Sequence, residues 1–362
     1  MRMVFLLDPR PGMWDRARPM TTQKDIARRL GVSPSLVSHV LGGRGEQIGA
    51  AARTVARIQR AARRLGYQPN AAALVLRGRS ARTLGVVVKN FDDPYLGQMA
   101  GELHRLAQAA GYALMLTGCG APPAYRPEPA PLLRFRLDGL LLAGSDVADD
   151  WFAPFARQGV RGVQIGSGPP VAGMRRVCTD EAWGMAAAVA HLVGLGHRRI
   201  AFIGDGSGAH ERRRQALVAA LEQRGLRPLG GRARAGTRGA AAVEQAVAAA
   251  LAARATALAA GDDETAQRTV RALRDRGRQV PRDLSVTGMD DIPSARLTIP
   301  ALTTVRQPLG DMVRTAFRLL TAPEGDERAA EATLVLRPQL VVRESTARPR
   351  AAAGRERNGK GT

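Results

Sequence analysis

Between Thr22 and Leu65 the apolar positions recur three and four residues apart in three short runs, the period of one buried helix face. Ile26, Ala27 and Leu30 make the first run, Val37, Val40 and Leu41 the second, and Val55, Ile58, Ala62 and Leu65 the third. From Thr83 the pattern changes. Leu84-Gly85-Val86-Val87-Val88 is a continuous apolar run of the kind a parallel strand buried on both faces requires, followed by an amphipathic stretch over Gly97–Ala110 and a second apolar run at Tyr112–Leu116. Further strand-like runs at Gly139–Ala143, Gly162–Ile165, Ile200–Ile203, Ala257–Ala260 and Leu284–Gly288 alternate with helical stretches such as Met185–Val193 and Arg212–Arg224. The pattern predicts an N-terminal all-α helix-turn-helix head, then an α/β core of two doubly wound parallel-sheet subdomains.

Local punctuation supports the head. Thr22 with Asp25 three positions on has the spacing of a capping box, Gly31 supplies a left-handed stop, and Ser33-Pro34 is a fresh N-cap with proline at the first helical position. The second helix then turns Pro34, Ser35, Ser38 and His39 outward, where a recognition helix presents base-reading side chains, while Thr22 and Ser33 stand at helix N-termini suited to phosphates. Between Met20 and Arg82 twelve Lys and Arg residues face only Asp25 and Glu46, a net of +10. That density exceeds what solubility asks of a small domain and, taken with the helix pattern, points to duplex DNA as the partner.

Asp25-Ile26-Ala27, Gly31-Val32-Ser33, Val37-Ser38, Val40-Leu41, Leu65-Gly66-Tyr67 and Pro69-Asn70 fall in order at the spacing that characterises the lac repressor (LacI/GalR) family of bacterial transcription regulators, which the segment resembles. Gly42, Leu36 and His39 depart from the residues usual in that family (Asn, Thr and Arg), and the loop Gly42–Gly49 is longer than its commonest form. The resemblance implies a pseudo-palindromic double-stranded DNA operator and a homodimer. It also implies a hinge helix beginning at Asn70, in which Ala71, Ala72 and Ala73 let two backbones approach and Leu76 is wedged into the minor groove. Six residues are too few to hold a helix alone in water, so such a hinge needs a partner.

The core carries the resemblance onward through Asp138-Gly139, Leu195-Gly196-His197-Arg198-Arg199-Ile200, Val280-Pro281-Arg282-Asp283, Gly288-Met289-Asp290-Asp291 and Pro300–Val305 with Gln307-Pro308. It implies a body like a periplasmic sugar-binding protein, with one subdomain at about 83–194 and 306–330 and the other at about 195–305 and 331–346. Ligands of open α/β sheets bind beyond the carboxyl ends of the strands, so the expected effector contacts are Asn90, Phe91, Asp93 and Tyr95 after the first strand, with Asp180, Trp183, Arg213, Asp263 and Asp290 from later loops. Alternating donors and acceptors suit a polyhydroxyl ligand such as a sugar, on whose face Trp183 could stack.

Other classes fit less well. No G-x-S-x-G, P-loop or H-E-x-x-H motif is present, and the adjacent carboxylates Asp262-Asp263 and Asp290-Asp291 point apart, so neither an enzyme nor a cofactor is expected. Cys119 and Cys178 lack metal or disulfide spacing, which fits a cytoplasmic protein with no metal. The apolar run Met3–Leu7 is too short for a secretory core and no membrane segment is seen; residues 1–19 read as an extension before a start at Met20. Residues 347–362, rich in Gly and Arg, are expected to be a disordered basic tail. The whole chain carries +22, yet residues 83–346 contribute only +6, so the charge is concentrated on the head and the two ends. The alternative is a non-specific, nucleoid-type DNA-binding protein with a vestigial ligand domain.

Overall fold

The computed structural model describes residues 21–67, 80–89, 91–118, 128–144, 147–229, 239–322 and 333–350. Residues up to Ala81 form one compact unit and those from Arg82 a second. The hinge residues Asn70, Ala73 and Leu76, and Asn90 of the expected effector set, lie outside the described residues.

The head contains α1 (Gln23–Leu30), α2 (Pro34–Leu41) and α3 (Ala52–Arg64). Thr22 and Asp25 form the predicted capping box, and Gly31 closes α1 with φ 65°, a conformation that glycine adopts without a Cβ penalty. Ser33 caps α2 by accepting from the Leu36 amide at 3.1 Å. Ile26, Val37, Val40, Ile58 and Ala62 fill the small core. Three tethers hold its rim: Arg57 donates to the Leu30 carbonyl at 2.8 Å, Thr21 to the Leu65 carbonyl at 2.8 Å, and Gln23 to the Tyr67 hydroxyl at 2.9 Å. The first of these satisfies a carbonyl that the end of α1 leaves unpaired.

The second unit is two lobes. The first has a six-stranded, wholly parallel sheet in the order β10-β5-β4-β3-β1-β2, from β1 (Thr83–Val88), β2 (Ala113–Gly118), β3 (Gly139–Ala143), β4 (Arg161–Ile165), β5 (Met174–Thr179) and β10 (Thr333–Leu336). Helix α4 (Pro94–Ala109) and the later α11 (Leu309–Thr321) cover one face, where Met99, Leu103, Val313 and Ala316 pack on Leu84 and Val86. The short α5 (Ala130–Leu133) and α6 (Ala153–Ala156) cover the other with Leu132, Phe152 and Phe155. The second lobe has the order β11-β9-β8-β7-β6, from β6 (Ile200–Ile203), β7 (Ala257–Ala260), β8 (Ser285–Asp290), β9 (Thr303–Arg306) and β11 (Gln339–Val341), with only β11 antiparallel. Its helices are α7 (Glu181–Gly194), α8 (Gly208–Glu222), α9 (Gly239–Ala252) and α10 (Asp263–Asp275).

The lobe boundaries differ from those expected. Helix α7 belongs to the second lobe, because Met185, Val189 and Leu192 bury against Ile200, Phe202 and Val305; the first crossing therefore lies at Thr179–Glu181 and not near Gly194. Strand β10 pairs with β5 in the first sheet, which moves the third crossing from Ala330 to Arg337–Pro338. The second crossing, at Arg306–Pro308, is close to its expected place at Val305.

The tail also departs from expectation at its beginning. Ser345 donates to the Val286 carbonyl at 2.6 Å, and buried His197 donates through Nε2 to the Ala347 carbonyl at 2.8 Å. Arg350 reaches Asp283 at 3.5 Å. Residues 345–350 are thus an integral part of the second lobe, stitched to β8, and the motif histidine serves that seam.

Candidate functional site

In the head, Pro34 and Ser35 are exposed, and Ser38 and His39 half-exposed, on the side of α2 away from Val37 and Val40. The Thr22 and Ser33 hydroxyls are engaged in capping, so they fix the two helix N-termini in place. His39 donates through Nδ1 to the Ser35 carbonyl at 2.8 Å, since a carbonyl can only accept. Of the two neutral tautomers this bond selects the one protonated at Nδ1, in which Nε2 is an acceptor. Along α3, Arg53, Arg57, Arg60, Arg63 and Arg64 are all exposed.

In the body, a cavity of about 330 Å³ opens between the lobes, at the carboxyl ends of β1, β3 and β4 on one side and β6, β7, β8 and β9 on the other. Four of the expected effector residues line it: Asp93, Tyr95, Arg213 and Asp290. Asp93 caps α4 by accepting from the Tyr95 amide at 2.9 Å, which places both residues at the cavity wall.

Arg213 is the centre of the second-lobe wall. Its Nε donates to Glu181 at 2.7 Å, its Nη1 to the Gly261 carbonyl at 2.7 Å, and its Nη2 lies 3.7 Å from Asp290. Burial raises the Asp290 carboxyl well above the usual carboxylate range, against the pull of Arg213. Asp290 itself has φ 115° and Asp291 φ 57°, a left-handed turn at the end of β8 that non-glycine residues rarely adopt and that costs about 1–3 kcal/mol each. Asp291 is buried beneath that turn, gripped by Arg306 at 2.6 Å and by Arg343.

Four expected contacts are placed elsewhere. Asp263 is fully buried behind the wall, accepting from the Thr304 hydroxyl at 2.5 Å and the Ile292 amide at 2.9 Å, and burial raises its pKa to about 7. Its neighbour Asp262 takes the cavity position, because as N-cap of α10 it has extended backbone at φ −149° and projects before the helix turns Asp263 inward. Gly288 is required by the same arrangement, since a Cβ there would sit 2.2 Å from an Asp263 oxygen. Asp180 caps α7 through the Trp183 amide at 2.9 Å, and Trp183 carries the Arg337 guanidinium 5.2 Å from its ring centroid. These two therefore secure the first and third crossings. Phe91 is 64% exposed, and its ring lies over Gly118 at the end of β2.

The residues missed from sequence form a second network. His210 places Nδ1 2.7 Å from Asp205 and Nε2 2.9 Å from Asp262, joining the loops after β6 and β7. Burial opposes its charge, but the two carboxylates prevail and the imidazole pKa is raised to about 9, while Asp262, despite its own burial, is held down at about 2. Gly261 makes room for this ring, as a Cβ there would fall 2.4 Å from it. Gln164, Glu181 and Gln307 also line the cavity, as do the cations Lys89, Arg212 and Arg268. The spacings Ser207-x-x-His210 and Asp262-x-x-Thr265, both N-cap patterns just after predicted strands, were the available signals. Among the described residues no group of three His, Cys, Asp or Glu side chains could hold a metal ion, and no helix is long and apolar enough to cross a membrane.

A helix-turn-helix head joined to a two-lobed, periplasmic-binding-protein-like body defines a class of DNA-binding, effector-controlled regulators. Residues 22–70 match the model of bacterial regulatory proteins of the lacI family, and residues 189–346 that of a periplasmic binding protein-like domain. The chain is 30% identical over 334 residues to the HTH-type transcriptional regulator DegA of Bacillus subtilis, a match spanning 90% of this chain and 98% of that protein. The lac repressor dimer bound to operator and the anti-inducer ONPF shares the fold, with TM-score 0.77 at 24% identity over 91% of this chain and 99% of that one. The transcriptional regulator CelR in complex with cellobiose superposes with TM-score 0.61 at 26% identity, covering 90% and 99% of the two chains. The chain belongs to the lacI family of bacterial transcriptional regulators.

Proposed function

We propose that this regulator is a cytoplasmic repressor that binds a pseudo-palindromic operator as a homodimer and releases or grips it in response to a small polyhydroxyl effector, with no catalytic role. The observation that carries this reading is the pairing of an exposed recognition face, Ser35, Ser38 and His39, with a polar cavity of about 330 Å³ enclosed between two lobes. That volume is at the small end of ligand sites and suits a single sugar ring. Arg213, Asp290, Asp262 and Asp93 contact the effector, and Asn70, Ala73 and Leu76 supply the hinge. The second copy covers Leu297 and Ile299, which are 80% and 94% exposed on the second lobe. The effector acts only through its differential affinity for the two lobe arrangements.

The test is a selection from random duplexes followed by affinity measurements at matched ionic strength. A regulator should prefer its selected pseudo-palindrome over random DNA by about a thousandfold or more. Equal affinity for both would identify a non-specific nucleoid-type protein instead.

A further inference from the structure

We infer that Gln164 and Arg212 are specificity residues of the cleft, each pairing from its own lobe with a hydroxyl of the effector; this rests on reading the inter-lobe cavity as the site of a polyhydroxyl ligand. Gln164 comes from β4 of the first lobe and Arg212 from early in α8 of the second, and both line the cavity. Gln164 is 3% exposed. Its amide nitrogen donates to the Pro169 carbonyl at 2.8 Å, and because a carbonyl can only accept, that bond fixes which way round the amide stands. Oε1 is then a buried acceptor with no partner among the described residues.

Arg212 is the reverse case. Its Nε–H is shut off from solvent and makes no hydrogen bond, standing 3.9 Å from one oxygen of Glu181 while Arg213 takes the other at 2.7 Å. Arg213 has also given its Nη1 to the Gly261 carbonyl. Of these two neighbouring arginines, Arg212 is therefore the one whose Nε is uncommitted. Its side chain is 35% exposed, which leaves the guanidinium room to turn that donor toward a ligand.

An acceptor on one lobe and a donor on the other call for a ligand that both donates and accepts, and a hydroxyl does both. A carboxylate serves Arg212 and leaves Gln164 unpaired; an ammonium does the opposite. Buried polar atoms without partners are costly, so a ligand that pairs one gains about tenfold in affinity. A site matched in this way discriminates strongly against an analogue that lacks the hydroxyl. The two contacts come from different lobes, so a ligand making both couples its own binding to the lobe arrangement.

Calorimetric titration of the full chain with glucose, galactose, mannose and ribose, then with the monodeoxy and monofluoro analogues of whichever binds tightest, tests the inference. Loss of the hydroxyl that meets Gln164 should weaken binding at least tenfold, and fluorine there should be as poor as hydrogen, because it cannot donate. Gln164→Met, of similar length but without the acceptor, should erase the deoxy penalty at that position. Arg212→Met should erase the penalty at a different one. A penalty that persists in a variant would overturn that residue's assignment while leaving the sugar cleft intact. Fluoro analogues that all bind like their parent would overturn Gln164 on the unaltered chain, whatever the folding of its variant. Absence of binding by all four parent sugars would overturn the assignment and the sugar reading together.

Discussion

The Thr179 hydroxyl donates to the Gln307 side-chain oxygen at 2.6 Å, joining the first crossing between the lobes to the second. Gln307 in turn donates to Asp290 at 2.6 Å, Asp290 faces Arg213, and Arg213 grips Glu181, two residues beyond Thr179. The third crossing is tied in as well, because the Asp180 amide donates to the Leu336 carbonyl at 2.9 Å. The cavity wall and the crossings are thus one ring of hydrogen bonds closed by the Arg213–Asp290 ion pair. Gln307→Leu should remove two of its bonds and leave a buried Asp290 oxygen without its amide donor, at about 1–3 kcal/mol. Urea denaturation should register that loss, and effector-dependent release from DNA should weaken more than effector binding.

Arg213→Ala removes the guanidinium from between Glu181 and Asp290. Breaking one partner from a buried ion pair costs about 3–5 kcal/mol, so a lower melting temperature is expected. Retained operator binding with no effector response is the expected phenotype; a normal response would remove Arg213 from the effector site.

The His210 bridge makes stability depend on pH. Its folded pKa of about 9 lies above the ordinary 6.5, so its contribution is full below about pH 6.5 and is lost as pH rises through 9. Half-buried His191 and buried His197 have pKa values lowered by burial, so their contributions run the opposite way, stability rising as pH climbs through the ordinary 6.5. Melting temperature should fall between pH 6.5 and 9.5, and His210→Gln should flatten the fall. Gly261→Ala should act like the His210 change, by displacing the ring from Asp262. Asp263 has its own window: its folded pKa of about 7 exceeds the ordinary 3.8, so stability declines from about pH 4 to 7, and Asp263→Asn should abolish that portion.

His39 offers an acceptor, where the family's usual arginine offers only donors. An acceptor pairs with the exocyclic amino group of adenine or cytosine, whereas arginine pairs with guanine. Selected operators should therefore carry adenine or cytosine at the His39 position, and His39→Arg should move the preference to guanine by about 1–3 kcal/mol. A selection with both proteins reads the switch directly.

The head was legible because its signals are local: Thr22, Gly31, Ser33 and Pro34 act within a few residues, and each does what its spacing implies. The strands were legible because burial on both faces demands uninterrupted apolar runs, as in Leu84–Val88 and Gly139–Ala143. Met174–Thr179 escaped notice since its first half carries Arg175 and Arg176 at partly exposed positions. The cleft was half legible. Strand ends located Asp93 and Asp290, and the family resemblance Arg213, but choosing between Asp262 and Asp263 depends on a single helix-cap torsion, and the partners of His210 are brought together only by tertiary folding. Trp183 and Asp180 stood near the right place and serve the crossings because the first crossing falls beside them.

The seam between residues 345–347 and strand β8 orders events during synthesis. Strand β9 also depends on this late segment, as the Thr303 amide donates to Ser345 at 2.8 Å and β11 pairs with Val305. Domains fold as their residues leave the ribosome, N-terminal ones first. The recognition helix is therefore assembled on the nascent chain long before the ligand-sensing lobe can close its last sheet edge, so a ribosome-bound polypeptide carries a finished reading surface on a body that cannot yet sense anything.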